Sequence, residues 1–189
     1  MRLMVILGSA RSASRGRKVA DWVQKQAAGD SRQEIDFVDA AELNLPFYNE
    51  PMSPFALKRN EQDYVSTEGK AWAERVDKTD AILLLVAEYN HGYTALMKNT
   101  LDWAGYEWGD KPVSFVSYST NLTGGARAVE QLRPVVTELG LVQVANAIHF
   151  PNVDNSFGPD GQPTHPSAND NLQKMFNELV RIHEKFKKT

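Results

Sequence analysis

The sequence predicts an α/β fold: a doubly wound, five-stranded parallel sheet with helices on both faces. Two patterns carry the prediction. Short apolar runs rich in Val, Ile and Leu alternate with segments of helical periodicity, giving the order βαβαβαβαβα. The runs also lack the polar–apolar alternation of a half-exposed strand, which suits strands covered by helices on both sides.

Residues 3–7 form the first run, and residues 81–87, 113–117 and 141–148 form the third to fifth. Residues 35–38, interrupted by Asp36, suit a strand nearer the sheet edge. Val19, Trp22, Val23 and Ala27 recur at helical spacing after Ser14. Trp72, Val76 and Thr79 repeat the pattern after the second strand, and Leu96, Thr100 and Trp103 after the third. Val129, Leu132, Val136 and Leu139 follow the fourth, with Gly140 as a natural stop. Leu172, Met175, Phe176, Leu179, His183 and Phe186 form the last stripe. Lys185, Lys187 and Lys188 suit the negative end of that helix. Right-handed crossovers leave few topologies. Five strands favour the flavodoxin-like order 2-1-3-4-5, with the ligand site where the first and third strands part. Residues 43–67 and 151–166 carry prolines and little periodicity and read as long irregular connections.

Composition narrows the function classes. The chain has 189 residues, 42% hydrophobic and 24% charged, a length that suits one domain spanning residues 1–189. It has no cysteine, which excludes disulfide scaffolds, thiol nucleophiles and thiolate metal sites. A net charge of −3 and a pI of about 5.8 give no reason to expect nucleic acid as a partner. The longest apolar run, residues 81–87, falls far short of the roughly 20 residues of a membrane-spanning helix. The N-terminal run is too short for a secretory leader, so the expected location is cytoplasmic. The histidines show no metal-ligand spacing, and no Gly-x-Ser-x-Gly elbow exists. No metal and no catalytic acid, base or nucleophile is expected.

The candidate site lies on three loops that follow apolar strands. The first reads Gly8-Ser9-Ala10-Arg11-Ser12-Ala13-Ser14-Arg15-Gly16 and opens a helix. Free N–H groups at a helix start attract anions, and arginine suits phosphate through its two-bond fork. The loop is neither a Walker A sequence nor G-x-G-x-x-G. An N-capped helix with two solvated arginines would use the same residues, and composition alone does not separate the two. The second loop, Glu88-Tyr89-Asn90-His91-Gly92-Tyr93, offers flat side chains and hydrogen-bonding groups to a planar ring. Gly92 would let the backbone approach closely. The third loop, residues 117–125, ends in Gly124-Gly125.

These motifs together resemble the NADPH-dependent FMN reductase family, which includes quinone, azo-dye and chromate reductases. The resemblance rests on Gly8-Ser9-x-Arg11 and on Glu88 to Tyr93 with Lys98-Asn99 downstream. It rests also on Lys111-Pro112-Val113 through Ser117-Tyr118, and on Gly124-Gly125-x-Arg127 through Arg133. It implies that Ser9, Arg11 and Ser14, with Arg15 and Gly16, hold the FMN phosphate. It implies that Glu88, Tyr89, Asn90, His91 and Gly92 line the flavin ring and that Ser117, Tyr118 and Ser119 face its other edge. The chain departs from the family at Ala87 and Thr94, where proline is usual. It departs again at Ser119-Thr120-Asn121-Leu122-Thr123, where Gly-Gly usually follows Ser-Tyr. Side chains there should hold the loop off the ring or turn its hydroxyls towards it, and FMN affinity should be modest.

The expected activity is passage of a hydride from NADPH or NADH through bound FMN to a small acceptor: a quinone, flavin, azo compound or metal oxyanion. A competing expectation is an FMN-binding electron carrier or redox-responsive partner protein without NAD(P)H turnover. The mild net charge favours the enzyme. The resemblance also implies a homodimer or homotetramer, for which a long helix after Lys98 and the aromatics Trp103, Tyr106 and Trp108 offer a contact surface.

Overall fold

A computed structural model describes residues 1–187. Five strands, β1 (Arg2–Leu7), β2 (Glu34–Asp39), β3 (Ala81–Ala87), β4 (Pro112–Tyr118) and β5 (Val142–Phe150), form one parallel sheet in the order β2-β1-β3-β4-β5. The helices are α1 (Gly16–Ala28), α2 (Pro54–Arg59), α3 (Thr67–Asp77), α4 (Ala95–Asp102), α5 (Ala126–Glu138) and α6 (Ala168–Phe186).

Strands β1 and β3 are apolar at every position but Arg2 because each face meets its own helical layer. Leu3, Val5, Leu7, Leu83 and Leu85 pack against Val19, Trp22 and Val23 of α1 and Leu172, Met175 and Phe176 of α6. Met4, Ile6, Ile82, Leu84 and Val86 face Trp72 and Val76 of α3, Met97 and Leu101 of α4, and Val129 and Leu132 of α5. Each such side chain contributes about 1.5–3 kcal/mol by leaving water. Gly140, at φ 79°, ends the turn after α5 as the sequence predicts.

Four expectations need correction. β5 is not covered on both faces: it is a sheet edge with Ala145, Asn146 and His149 exposed, and its register with β4 slips between Val113 and Phe115. Thr79 lies beyond the end of α3, where its hydroxyl donates to the Arg75 carbonyl. Residues 43–67 are not wholly irregular. Ser53 accepts from Ala56 N–H and Pro54 occupies the first position of α2, a favourable helix start. Asn99 and Trp103 then pin this segment, each donating to the Pro46 carbonyl. Finally, α4 is short, and Trp103 and Trp108 are fully buried; of the three proposed surface aromatics only Tyr106 is exposed. Lys188 lies outside the described residues.

Candidate functional site

The sheet order brings the carboxyl ends of β1, β3 and β4 side by side, and the loops leaving them enclose a cleft of about 480 Å³ including its open mouth. The first loop is held from both sides. Gly8 N–H donates to the Leu85 carbonyl at 3.2 Å. The Gly8 carbonyl accepts from the Thr94 hydroxyl at 2.7 Å, and the same Thr94 oxygen accepts from Met97 N–H to cap α4. Thr94, one of the departures from the family pattern, therefore ties the first loop to the second.

At the start of α1 the Ser14 hydroxyl oxygen accepts from Gly16 N–H at 3.1 Å and lies 3.5 Å from the Tyr118 hydroxyl. Burial pushes the Tyr118 pKa up, so this group stays protonated and able to donate. A Cβ at Gly16 would overlap the Tyr118 hydroxyl and Leu7, which explains the glycine. Among the described residues, the backbone N–H groups of Ala10, Ser12, Ala13 and Arg15 have no acceptor within the protein. They form a concentration of backbone donors of the kind that suits an anion. Arg11 is exposed and, among the described residues, its guanidinium pairs with no acid. Arg15 donates to Asp154 at 2.6 Å, and Arg17 is held by Asp39 and Glu42.

The second and third loops are locked together. The Glu88 side chain is almost wholly buried and accepts from Arg127 Nε at 2.9 Å, from Asn121 Nδ2 at 3.1 Å and from the Thr123 hydroxyl at 3.3 Å. Burial raises its pKa, but Arg127, Asn121 and Thr123 outweigh burial and hold it below the usual value. Tyr89 and Gly92 exchange backbone bonds of 2.8 and 2.9 Å across a tight turn. Asn90 and His91 occupy positive φ there, at 49° and 70°, as a type I′ turn requires. The conformational freedom expected of Gly92 thus resides in its two predecessors. In the third loop Ser119 donates to Asn121 Oδ1 at 2.7 Å, turning its hydroxyl into the loop rather than outward. Gly125, at φ 88°, lets the chain enter α5 against Ser117, where a Cβ would collide.

Of the residues expected in the site, Ser9, Arg11, Ser14, Arg15, Glu88, Tyr89, Tyr118 and Ser119 line the cleft. Gly16 lies beneath it under Tyr118, and Asn90, His91 and Gly92 form the turn outside its wall. Ser117 is fully buried and bonds to the Gly124 carbonyl and His149, so it shapes the third loop from below. Ala87, Thr120 and Val153 also line the cleft and were not anticipated. Val153 comes from the turn after β5, in a segment with no local signal of its position.

A parallel sheet in this order, with a donor-rich loop after β1 and a cleft at the β1/β3 switch point, defines a flavodoxin-like protein. The chain belongs to the NADPH-dependent FMN reductase family, whose profile matches residues 1–155. It is 34% identical over 134 residues to an NAD(P)H-dependent FMN reductase of a Nectria species, covering 69% of this chain and 65% of that protein. The chain thus spans just under two thirds of that relative. It is 29% identical over 150 residues to a 2-hydroxy-1,4-benzoquinone reductase of a Burkholderia species, covering 75% of this chain and 73% of that protein. Among solved structures it resembles FerB of Paracoccus denitrificans, a flavoenzyme NAD(P)H:(acceptor) oxidoreductase. That match has a TM-score of 0.75 and 25% identity, and covers 97% of both chains.

Proposed function

We propose that this chain is a single FMN-binding domain that oxidises NADPH or NADH and reduces a small acceptor of the quinone type. The observation that carries the reading is the set of unpartnered backbone donors beside Arg11 at the cleft of a reductase-family fold. Those donors suit the phosphate of FMN, which supports the fit of this cofactor to the first loop. When bound, FMN supplies the hydride chemistry; the protein binds, orients and electrostatically tunes it.

The residues divide that work. Ser9, Arg11, Ser14 and the loop amides hold the phosphate. Tyr118 donates beneath them and keeps Gly16 and the start of α1 in place. Tyr89, Thr120 and the backbone around Ser119 border the ring, and the Glu88–Arg127 pair fixes the loops that carry them. The Thr120 N–H, which has no acceptor among the described residues, would stabilise negative charge on the reduced ring without reorganising.

The proposed location is cytoplasmic; no helix among the described residues is long and apolar enough to cross a membrane. The chain works as a homodimer, or a pair of such dimers, through an open apolar groove lined by Tyr48, Phe55, Ala104, Val135 and Leu139. This groove replaces the buried tryptophans as the contact surface.

Steady-state kinetics test the reading. Donor and acceptor sharing one place over the ring give parallel double-reciprocal lines at several quinone concentrations. Intersecting lines reject the shared site, and absence of NAD(P)H oxidation favours the electron carrier.

A further inference from the structure

Asp154 stands on the short turn Val153–Asn155 that follows β5. The turn is fixed without its help. Asn152 enters it at φ 46°, Val153 is buried against the cleft, and Val153 N–H donates to the Ser119 carbonyl at 3.0 Å. The Asp154 carboxylate then accepts from Arg15 Nε at 2.6 Å, and among the described residues it has no other hydrogen-bond partner. Both members are substantially exposed, at 39% and 53% of their side-chain surface. Arg15 and Arg11 both line the cleft, but only Arg15 is matched with an acid.

We propose that Asp154 is a specificity-determining residue: it engages Arg15 and so limits how much flavin affinity comes from the phosphate rather than the ring. The inference rests on the reading that the FMN phosphate lies at the first loop. An arginine whose Nε is committed to a carboxylate offers less of its planar fork to a phosphate. The carboxylate also sets a negative charge beside a dianionic ligand. Water and salt weaken that repulsion without abolishing it for charges closer than the Debye length of about 8 Å.

The test compares FMN with riboflavin, which share a ring and differ by the phosphate. Both are titrated into wild type, Asp154→Asn and the double variant Asp154→Asn/Arg15→Gln. Asparagine keeps the size of the side chain, and the backbone bonds of the turn remain. Asp154→Asn is expected to tighten FMN about threefold to tenfold and to move riboflavin less than about twofold. The double variant is expected to lose the gain. FMN affinity unchanged or weakened in Asp154→Asn, or riboflavin shifting as far as FMN, overturns the inference; a wild-type preference for FMN then leaves the phosphate reading standing. Wild-type protein that binds both flavins equally overturns the phosphate reading and the inference with it.

Discussion

Replacing Glu88 by alanine should unfasten the second loop from the third. Carboxylate Oε1 accepts from Nε and Nη2 of Arg127 and from Asn121, and Oε2 accepts from Thr123. Its side chain is only 1% exposed, whereas Arg127 is 36% exposed. Removing one partner of a fully buried ion pair costs about 3–5 kcal/mol. Water reaches Arg127 and recovers part of that, so the expected loss is about 3 kcal/mol, or roughly 8 °C in Tm for a domain of this size. Urea unfolding followed by tryptophan fluorescence reads the loss directly. A double-mutant cycle with Arg127→Ala should show coupling of at least about 1 kcal/mol, because the two side chains touch. The pH dependence has a definite sign. A carboxyl whose pKa is lowered on folding stabilises above its unfolded pKa and loses that contribution as pH falls through the folded value. Glu88→Gln should therefore flatten the acid limb of the stability profile and leave its slope at neutral pH unchanged. A loss below about 1 kcal/mol in Glu88→Ala, with additive behaviour in the cycle, would refute the clamp.

Three further outcomes follow from the geometry. Arg11→Ala should weaken FMN by about tenfold to a hundredfold, the value of a charge-assisted bond, with little effect on riboflavin; isothermal titration checks both. Gly16→Ala should lower stability by about 1–3 kcal/mol, because its Cβ meets Tyr118 and Leu7, and thermal unfolding would show it. Light scattering should give at least twice the chain mass of 21.2 kDa, and Val135→Glu in the apolar groove should return it to one chain; a wild-type monomer would contradict the proposed dimer.

The sheet was legible because β1 and β3 are buried at almost every position, and that burial writes continuous apolar runs into the sequence. The edge character of β5 was not, since its slipped register depends on pairing with β4 rather than on its own residues. α2 left a readable start in Ser53 and Pro54, obscured by the other prolines around it. The tryptophans misled for a chemical reason. An indole suits a surface or a core, depending on whether its N–H finds an acceptor. Here Trp103 donates to Pro46 and Trp108 to Leu101, which permits full burial. In the site, the placement of the first loop between β1 and the start of α1 was readable from its sequence. The commitment of Arg15 to Asp154 was not, because the partners lie 139 residues apart and nothing local links them. The sequence predicts third-loop side chains that hold the loop off the ring or turn their hydroxyls towards it. Its added polar residues instead bond to one another and to Glu88, so they order the loop.

The most direct test loads the purified protein with FMN, removes free flavin by gel filtration and follows the visible spectrum without oxygen. The account predicts about one flavin retained per chain, bleaching of its absorbance by NADPH or NADH, and recovery of the colour when a benzoquinone is added. Flavin retained but unaffected by either nicotinamide would contradict the reductase reading, and failure to retain flavin would contradict the site itself.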